Sequence, residues 1–156
     1  MTIRPATATD YGAIARLLTD AFGRPDEARL VEALRADGAM AREMVIVTGA
    51  EEVRAYLALV RMVEPEGWLA LAPVAVAPAS QGLGLGSRLI HAALEVAEAP
   101  VVVLGEPGYY ARFGFSVGRA ARLVSPYPLE YTGLHEPSVE GEPPVARLVY
   151  PRAFGA

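Results

Sequence analysis

The chain contains no cysteine, no lysine and no asparagine. Without cysteine, disulfides, a cysteine-ligated zinc and a cysteine nucleophile are all excluded, whatever the redox compartment. Without lysine, all 14 basic residues are arginine, and no lysine can serve as general base or Schiff-base former. An excess of positive charge is missing too. The formal net charge is -4, so no long-range positive field draws in a phosphate backbone, which disfavours nucleic acid as a partner. Long apolar runs are also absent. The richest stretch, Trp68 to Ala79, holds Pro73 and Pro78 and is too short to span a bilayer. Met1 to Pro5 reads as a short strand, not as a basic segment leading into an apolar run and cleavage site; a cytoplasmic protein with no membrane partner is expected. The two histidines, His91 and His135, lie far apart without clustered carboxylates, so no metal site is expected.

What is present suits one packed domain covering residues 1–156. Hydrophobic residues make up 53% of the chain and charged residues 21%, a balance that favours a core over disorder. Thr7 and Asp10 have the spacing of a capping box, and Ile14, Leu17, Leu18, Ala21 and Phe22 draw one apolar stripe, predicting a helix from about Ala8 to Phe22. Leu30, Val31 and Leu34 mark a second helix that stops near Gly38. Met44–Thr48 and Val53–Met62 read as a strand hairpin, followed by a strand from Trp68 to Val76. Pro73 cannot donate to a ladder, which predicts a bulge or an unpaired edge there. A third helix is expected from about Gly84 to Ala97, a parallel-type strand at Val101–Leu104, and a short helix from Pro107 to Arg112 stopped at Gly114. Ser116–Val124 and Val145–Tyr150 read as strands flanking a proline-rich loop, Ser125 to Pro144, that is either a lid or a surface wrap. The sum is α+β (α/β) in character: a mixed sheet with helices on both faces and one strand–helix–strand unit at its centre.

That unit carries the chemistry. Gly82, Gly84 and Gly86 alternate with Leu83 and Leu85 where the third helix begins. A glycine in a first helical turn costs up to ~1 kcal/mol relative to alanine, so several together need a reason. Close approach of a ligand supplies one, because free N–H groups and the positive dipole end at a helix start favour an anion. The turn does not match a nucleotide-triphosphate loop, since no Gly-Lys-Ser/Thr follows. It also misses the dinucleotide fingerprint, whose third glycine would fall on Ser87.

The stretch Val74-Ala-Val-Ala-Pro-Ala-Ser-Gln-Gly-Leu-Gly-Leu-Gly-Ser-Arg-Leu-Ile90 resembles the acetyl-CoA-binding motif of the GCN5-related N-acetyltransferase (GNAT) family. Gln81, Gly84 and Gly86 fall on its Gln/Arg-x-x-Gly-x-Gly/Ala positions, with Gly82 as the usual companion. Tyr109-Tyr-Ala-Arg-Phe-Gly-Phe115 resembles the family's tyrosine–x–x–x–Gly-Phe signature, with Tyr110 on the tyrosine position. The wider stretch from Leu104 to Phe115 is similar to a bacterial subfamily of predicted small acetyltransferases. The resemblance implies a GNAT-like fold with a V-shaped splay between strands 4 and 5, and acetyl-CoA as cosubstrate without a metal. It implies that the backbone of Gln81, Gly82, Leu83, Gly84, Leu85, Gly86 and Ser87 holds the pyrophosphate. Val74, Ala75 and Val76 would hold the pantetheine arm, with the Val76 N–H polarising the thioester.

Under that resemblance Tyr110 is the expected general acid, protonating the departing thiolate; read alone, it is a half-buried packing residue. Glu106, Glu64 and Glu66 are the candidate bases, with Glu106 preferred because it follows the fifth strand. The asparagine that the family often places there has no counterpart in this chain. His91 reads as a packing or surface residue, while His135 lies in the proline-rich loop. The expected activity is acetyl transfer to a primary amine by direct attack. The alternatives are an inactive acyl-CoA-binding sensor or regulatory module, and a purely structural interaction domain. A homodimer suits the family, although nothing in the sequence fixes an interface.

Overall fold

The computed structural model describes residues 1–155. They form a six-stranded sheet whose spatial order follows the chain: β1 (Thr2–Pro5), β2 (Met40–Val47), β3 (Val53–Arg61), β4 (Leu69–Val76), β5 (Val101–Leu104) and β6 (Thr132–His135). Every neighbouring pair is antiparallel except β4 and β5, which are parallel and joined by the helix α3 (Leu85–Val96). The mixed sheet and its parallel pair match the architecture expected from sequence.

Alternation along the strands sorts side chains onto two faces. Val45, Val47, Tyr56, Ala58 and Val60 point toward α1 (Tyr11–Phe22) and α2 (Asp26–Ala36). Met44, Ile46, Ala55, Leu57 and Leu59 point toward α3. The expected stripe places Ile14, Leu17 and Leu18 of α1 in the first core, each at most 5% exposed. The chain enters α1 through a turn in which the Asp10 carboxylate accepts the Thr7 N–H at 2.8 Å. Arg4 grips the same carboxylate with two hydrogen bonds of 2.7 and 2.9 Å, tying β1 to the helix start. Gly23, at φ +69°, ends α1 in the left-handed conformation that a side chain would resist.

Two features of β4 open the sheet. Leu57 pairs with Val74 and Leu59 with Leu71, so Ala72 and Pro73 together oppose the single residue Ala58. This is the bulge expected at Pro73. On its other edge β4 pairs with β5 only through Leu69–Val101 and Ala70–Val102, and beyond Ala70 the two strands part.

The last third of the chain differs from expectation. Ser116–Val124 is not a strand: it contains the short helix α5 (Val117–Ala120), because the Ser116 hydroxyl accepts the Arg119 N–H at 3.0 Å and caps a helical turn. Only the flanks of this segment pair, Ser116 with Leu134 and Val124 with Arg147. Val145–Tyr150 likewise makes isolated bridges, at Arg147 and at Val149 with Glu64. The proline-rich segment is no uniform loop, since β6 lies inside it and completes the sheet against β5. No helix among the described residues is long and apolar enough to cross a membrane.

Candidate active site

The parting of β4 and β5 leaves backbone groups unpaired in a defined direction. Ala77 donates its N–H to Arg54 of β3 at 2.8 Å, and Tyr56 stands opposite Ala75 in the same register. In an antiparallel ladder, alternate residues turn their N–H and C=O toward the partner. Ala75 and Ala77 therefore face β3, while Val74 and Val76 present both backbone polar groups to the gap. Of the three β4 positions expected to hold an extended arm, Val74 and Val76 carry the outward-facing groups, and Ala75 does not. Gln81 closes the end of the gap, its amide nitrogen donating to the Val76 carbonyl at 3.3 Å.

The gap runs directly into the start of α3. The first helical bond closing this end is Arg88 N–H to the Gly84 carbonyl at 3.1 Å, so the N–H groups preceding Arg88 have no intrahelical acceptor. The N-cap is Gly84, which has no side chain to satisfy them. The glycines do different work from what their spacing suggests. Gly82 and Gly84 precede the helix, at φ +83° and +75°, with open space where a Cβ would lie; they are required by backbone conformation. Only Gly86 sits within the helix. A Cβ there would lie 3.6 Å from Val76 Cγ2 and 3.7 Å from the Tyr109 hydroxyl, which are ordinary contacts. Its absence leaves room between α3, β4 and the aromatic turn beyond β5. Leu85 is buried and anchors the turn to the core, whereas Leu83 is exposed, and Ser87 is half-buried in the first helical turn.

On the β5 side, α4 (Pro107–Tyr110) carries both tyrosines and runs into the 3-10 turn Ala111–Phe113. Gly114 stops them at φ +90°, as the sequence predicts. Tyr110 packs edge-on against Tyr109 (5.0 Å between ring centres) and Phe115 (5.7 Å). Its ring lies where a side chain at residue 105 would be: a Cβ on Gly105 would come within 2.5 Å of Tyr110 Cε2. Burial pushes the Tyr110 phenol above its ordinary value, and Tyr109 adds to the shift, so the group is a protonated donor at neutral pH. Glu106 is the exposed N-cap of α4, and its carbonyl accepts the Tyr110 N–H at 3.1 Å. The two residues therefore share one turn on the rim of the gap.

Other sequence candidates lie elsewhere. Glu64 and Glu66 precede β4, and its length at ~3.3 Å per residue sets them roughly 20 Å from Val76. His135 pairs with Val101, at the end of β5 remote from Leu104. Its Nδ1 is buried without a partner, and burial lowers its pKa. His91 is exposed and touches Phe113 edge-on at 4.9 Å. No group of three metal-binding side chains occurs among the described residues. Gly105 and the contact of Tyr109 with Gly86 escape the sequence reading, because nothing in one chain announces which glycine an aromatic ring will cover.

Comparison with known proteins matches this geometry. The model of the Acetyltransferase (GNAT) family matches residues 11–115. The N-acetyltransferase YhbS of Escherichia coli K12 is 35% identical over 125 residues, which is 75% of this chain and 74% of that protein. The crystal structure of Escherichia coli YhbS in complex with CoA superposes with a TM-score of 0.88 at 29% identity, covering 99% of this chain and 92% of that one. A GNAT family acetyltransferase from Brucella melitensis in complex with acetyl-CoA gives 0.79 at 29% identity, covering 98% and 97%. With the parallel β4–β5 pair, the bulge, the uncapped glycine turn and the sequence match all in agreement, this chain belongs to the GNAT family of acetyltransferases.

Proposed function

We propose that the protein binds acetyl-CoA in the β4–β5 gap and transfers its acetyl group to a primary amine by direct attack. The observation carrying this reading is the alignment of the gap with the helix start: the outward-facing Val74 and Val76 N–H groups point into the same opening that ends, past the Gln81 amide on the Val76 carbonyl, at the uncapped N–H groups of α3. An extended arm ending in a pyrophosphate satisfies both sets of donors at once. The two structural relatives bound to CoA and acetyl-CoA support the choice of ligand.

Acetyl-CoA supplies the activated acyl group as a thioester. The N–H of Val76 donates to the thioester carbonyl oxygen and stabilises the negative charge that develops there as the amine nitrogen adds. The C–S bond then breaks, and Tyr110 gives its phenolic proton to the departing sulfur. Glu106, directly or through a water, accepts the proton lost by the attacking nitrogen. Nothing in this scheme needs a cysteine, a lysine or a covalent acyl-enzyme.

The test is thiol release from acetyl-CoA across a panel of primary amines, with wild type and Tyr110→Phe. Amine-dependent release by wild type is expected. Binding of acetyl-CoA without release on any amine would replace the enzyme reading with that of a sensor.

A further inference from the structure

The α3 start supplies N–H donors but no formal charge, and the chain as a whole is negative. The nucleotide end of coenzyme A carries a pyrophosphate and a separate 3′-phosphate monoester. Such a monoester bears about −1.5 to −2 charges near neutral pH. Neutral backbone donors offset that charge poorly, so a cation beside α3 is called for.

Two arginines lie near. Arg88 sends its guanidinium to the Met1 carbonyl (3.4 Å), on the β1 side of the helix. Arg112 stands on the other side. Its Cζ lies 4.6 Å from the centre of the Tyr109 ring and 5.5 Å from that of Phe113, and its Nε donates to the Tyr109 carbonyl at 3.3 Å. Tyr109 in turn reaches the first turn of α3 at Gly86, and Phe113 touches His91 further along the same helix. One aromatic ring therefore separates the Arg112 guanidinium from the phosphate-binding turn. Among the described residues Arg112 has no carboxylate partner, unlike the arginines that the fold ties into ion pairs, and it is exposed. A guanidinium already held against an aromatic face loses little freedom on binding, and its planar fork matches phosphate oxygens.

We infer that Arg112 takes the 3′-phosphate of the coenzyme A nucleotide and makes the enzyme discriminate against thioesters that lack it. This rests on the acetyl-CoA reading above. The role is one of substrate specificity, with no part in the chemistry at the thioester.

The experiment measures dissociation constants by calorimetry at low salt for acetyl-CoA and for 3′-dephospho-acetyl-CoA, with wild type, Arg112→Gln and Arg88→Gln. Charge-assisted hydrogen bonds of this kind correspond to an expected wild-type preference of about tenfold or more for acetyl-CoA. Arg112→Gln should bind acetyl-CoA about tenfold more weakly and leave the affinity for the dephospho compound unchanged, which also shows that the variant is folded. Arg88→Gln should keep the wild-type preference. Equal affinity of wild type for both thioesters, an undiminished preference in Arg112→Gln, a parallel loss for both compounds in that variant, or loss of the preference in Arg88→Gln would each overturn the assignment. Failure of wild type to bind either thioester would overturn the acetyl-CoA reading as well.

Discussion

At the scale of single residues, the proposed acid chemistry turns on Tyr110 and the space it occupies. A general acid contributes roughly 10²- to 10⁴-fold to rate. Tyr110→Phe should therefore lower kcat by about that factor and leave the dissociation constant of acetyl-CoA nearly unchanged, as steady-state kinetics and calorimetry together would show. The pH profile has a defined sign. The acid works while protonated, so activity is present below its pKa and lost above it. Burial raises that pKa, which places the alkaline limb of kcat above the ordinary tyrosine value of about 10. The limb should disappear in Tyr110→Phe. Gly105 offers a second test of the same residue. An added Cβ would fall 2.5 Å from Tyr110 Cε2, so Gly105→Ala must swing the ring from its place. The expected result is a loss of kcat at unchanged acetyl-CoA affinity, with no further loss when Tyr110→Phe is added; additive losses would show that Gly105 acts independently of Tyr110.

At the scale of elements, legibility in the sequence follows the amount of local information each segment holds. The helix α1 and the strand β5 are legible because an apolar stripe and an apolar run between proline and glycine each allow one solution. The bulge at Pro73 is legible from a missing donor alone. The glycine turn is legible as an uncapped helix start, yet the assignment of work within it is not: helix entry falls at Leu85, so Gly82 and Gly84 answer to φ and Gly86 to space. Least legible is β6. Four residues including Gly133 show no useful alternation, and the strand exists because β5 and Phe115 receive it. A Cβ on Gly133 would lie 2.9 Å from Phe115 Cβ and 3.3 Å from Val103 Cγ1. Gly133→Ala should thus destabilise the protein by about 1–3 kcal/mol, as expected for overpacking a tight core, measurable by denaturant unfolding. Phe115 also backs the Tyr110 ring, so activity should fall further than the loss of folded protein explains.

At the scale of the whole molecule, the fold is a sheet deliberately left open at one seam and tied firmly elsewhere. One tie is testable by pH. The Arg4 guanidinium holds the Asp10 carboxyl well below the usual carboxylate range, whose reference is 3.8. A depressed folded-state pKa contributes stability above that reference and loses it as pH falls below. Asp10→Asn should therefore be less stable than wild type at pH 7 and should lose less stability between pH 5 and 2, as paired urea titrations would show. The open seam predicts stabilisation by its ligand: acetyl-CoA at one hundred times its dissociation constant should add about 2.7 kcal/mol to unfolding, a melting shift of roughly 5–10 °C for a domain of this size. The most direct measurement of the central claim is a calorimetric titration of acetyl-CoA into wild type and into Gly86→Glu, which places a side chain and a negative charge in the first turn of α3 at a position with no left-handed backbone requirement. Saturable one-to-one binding to wild type and none to a still-folded Gly86→Glu is expected; absence of binding to wild type, or undiminished affinity in the variant, would contradict the claim.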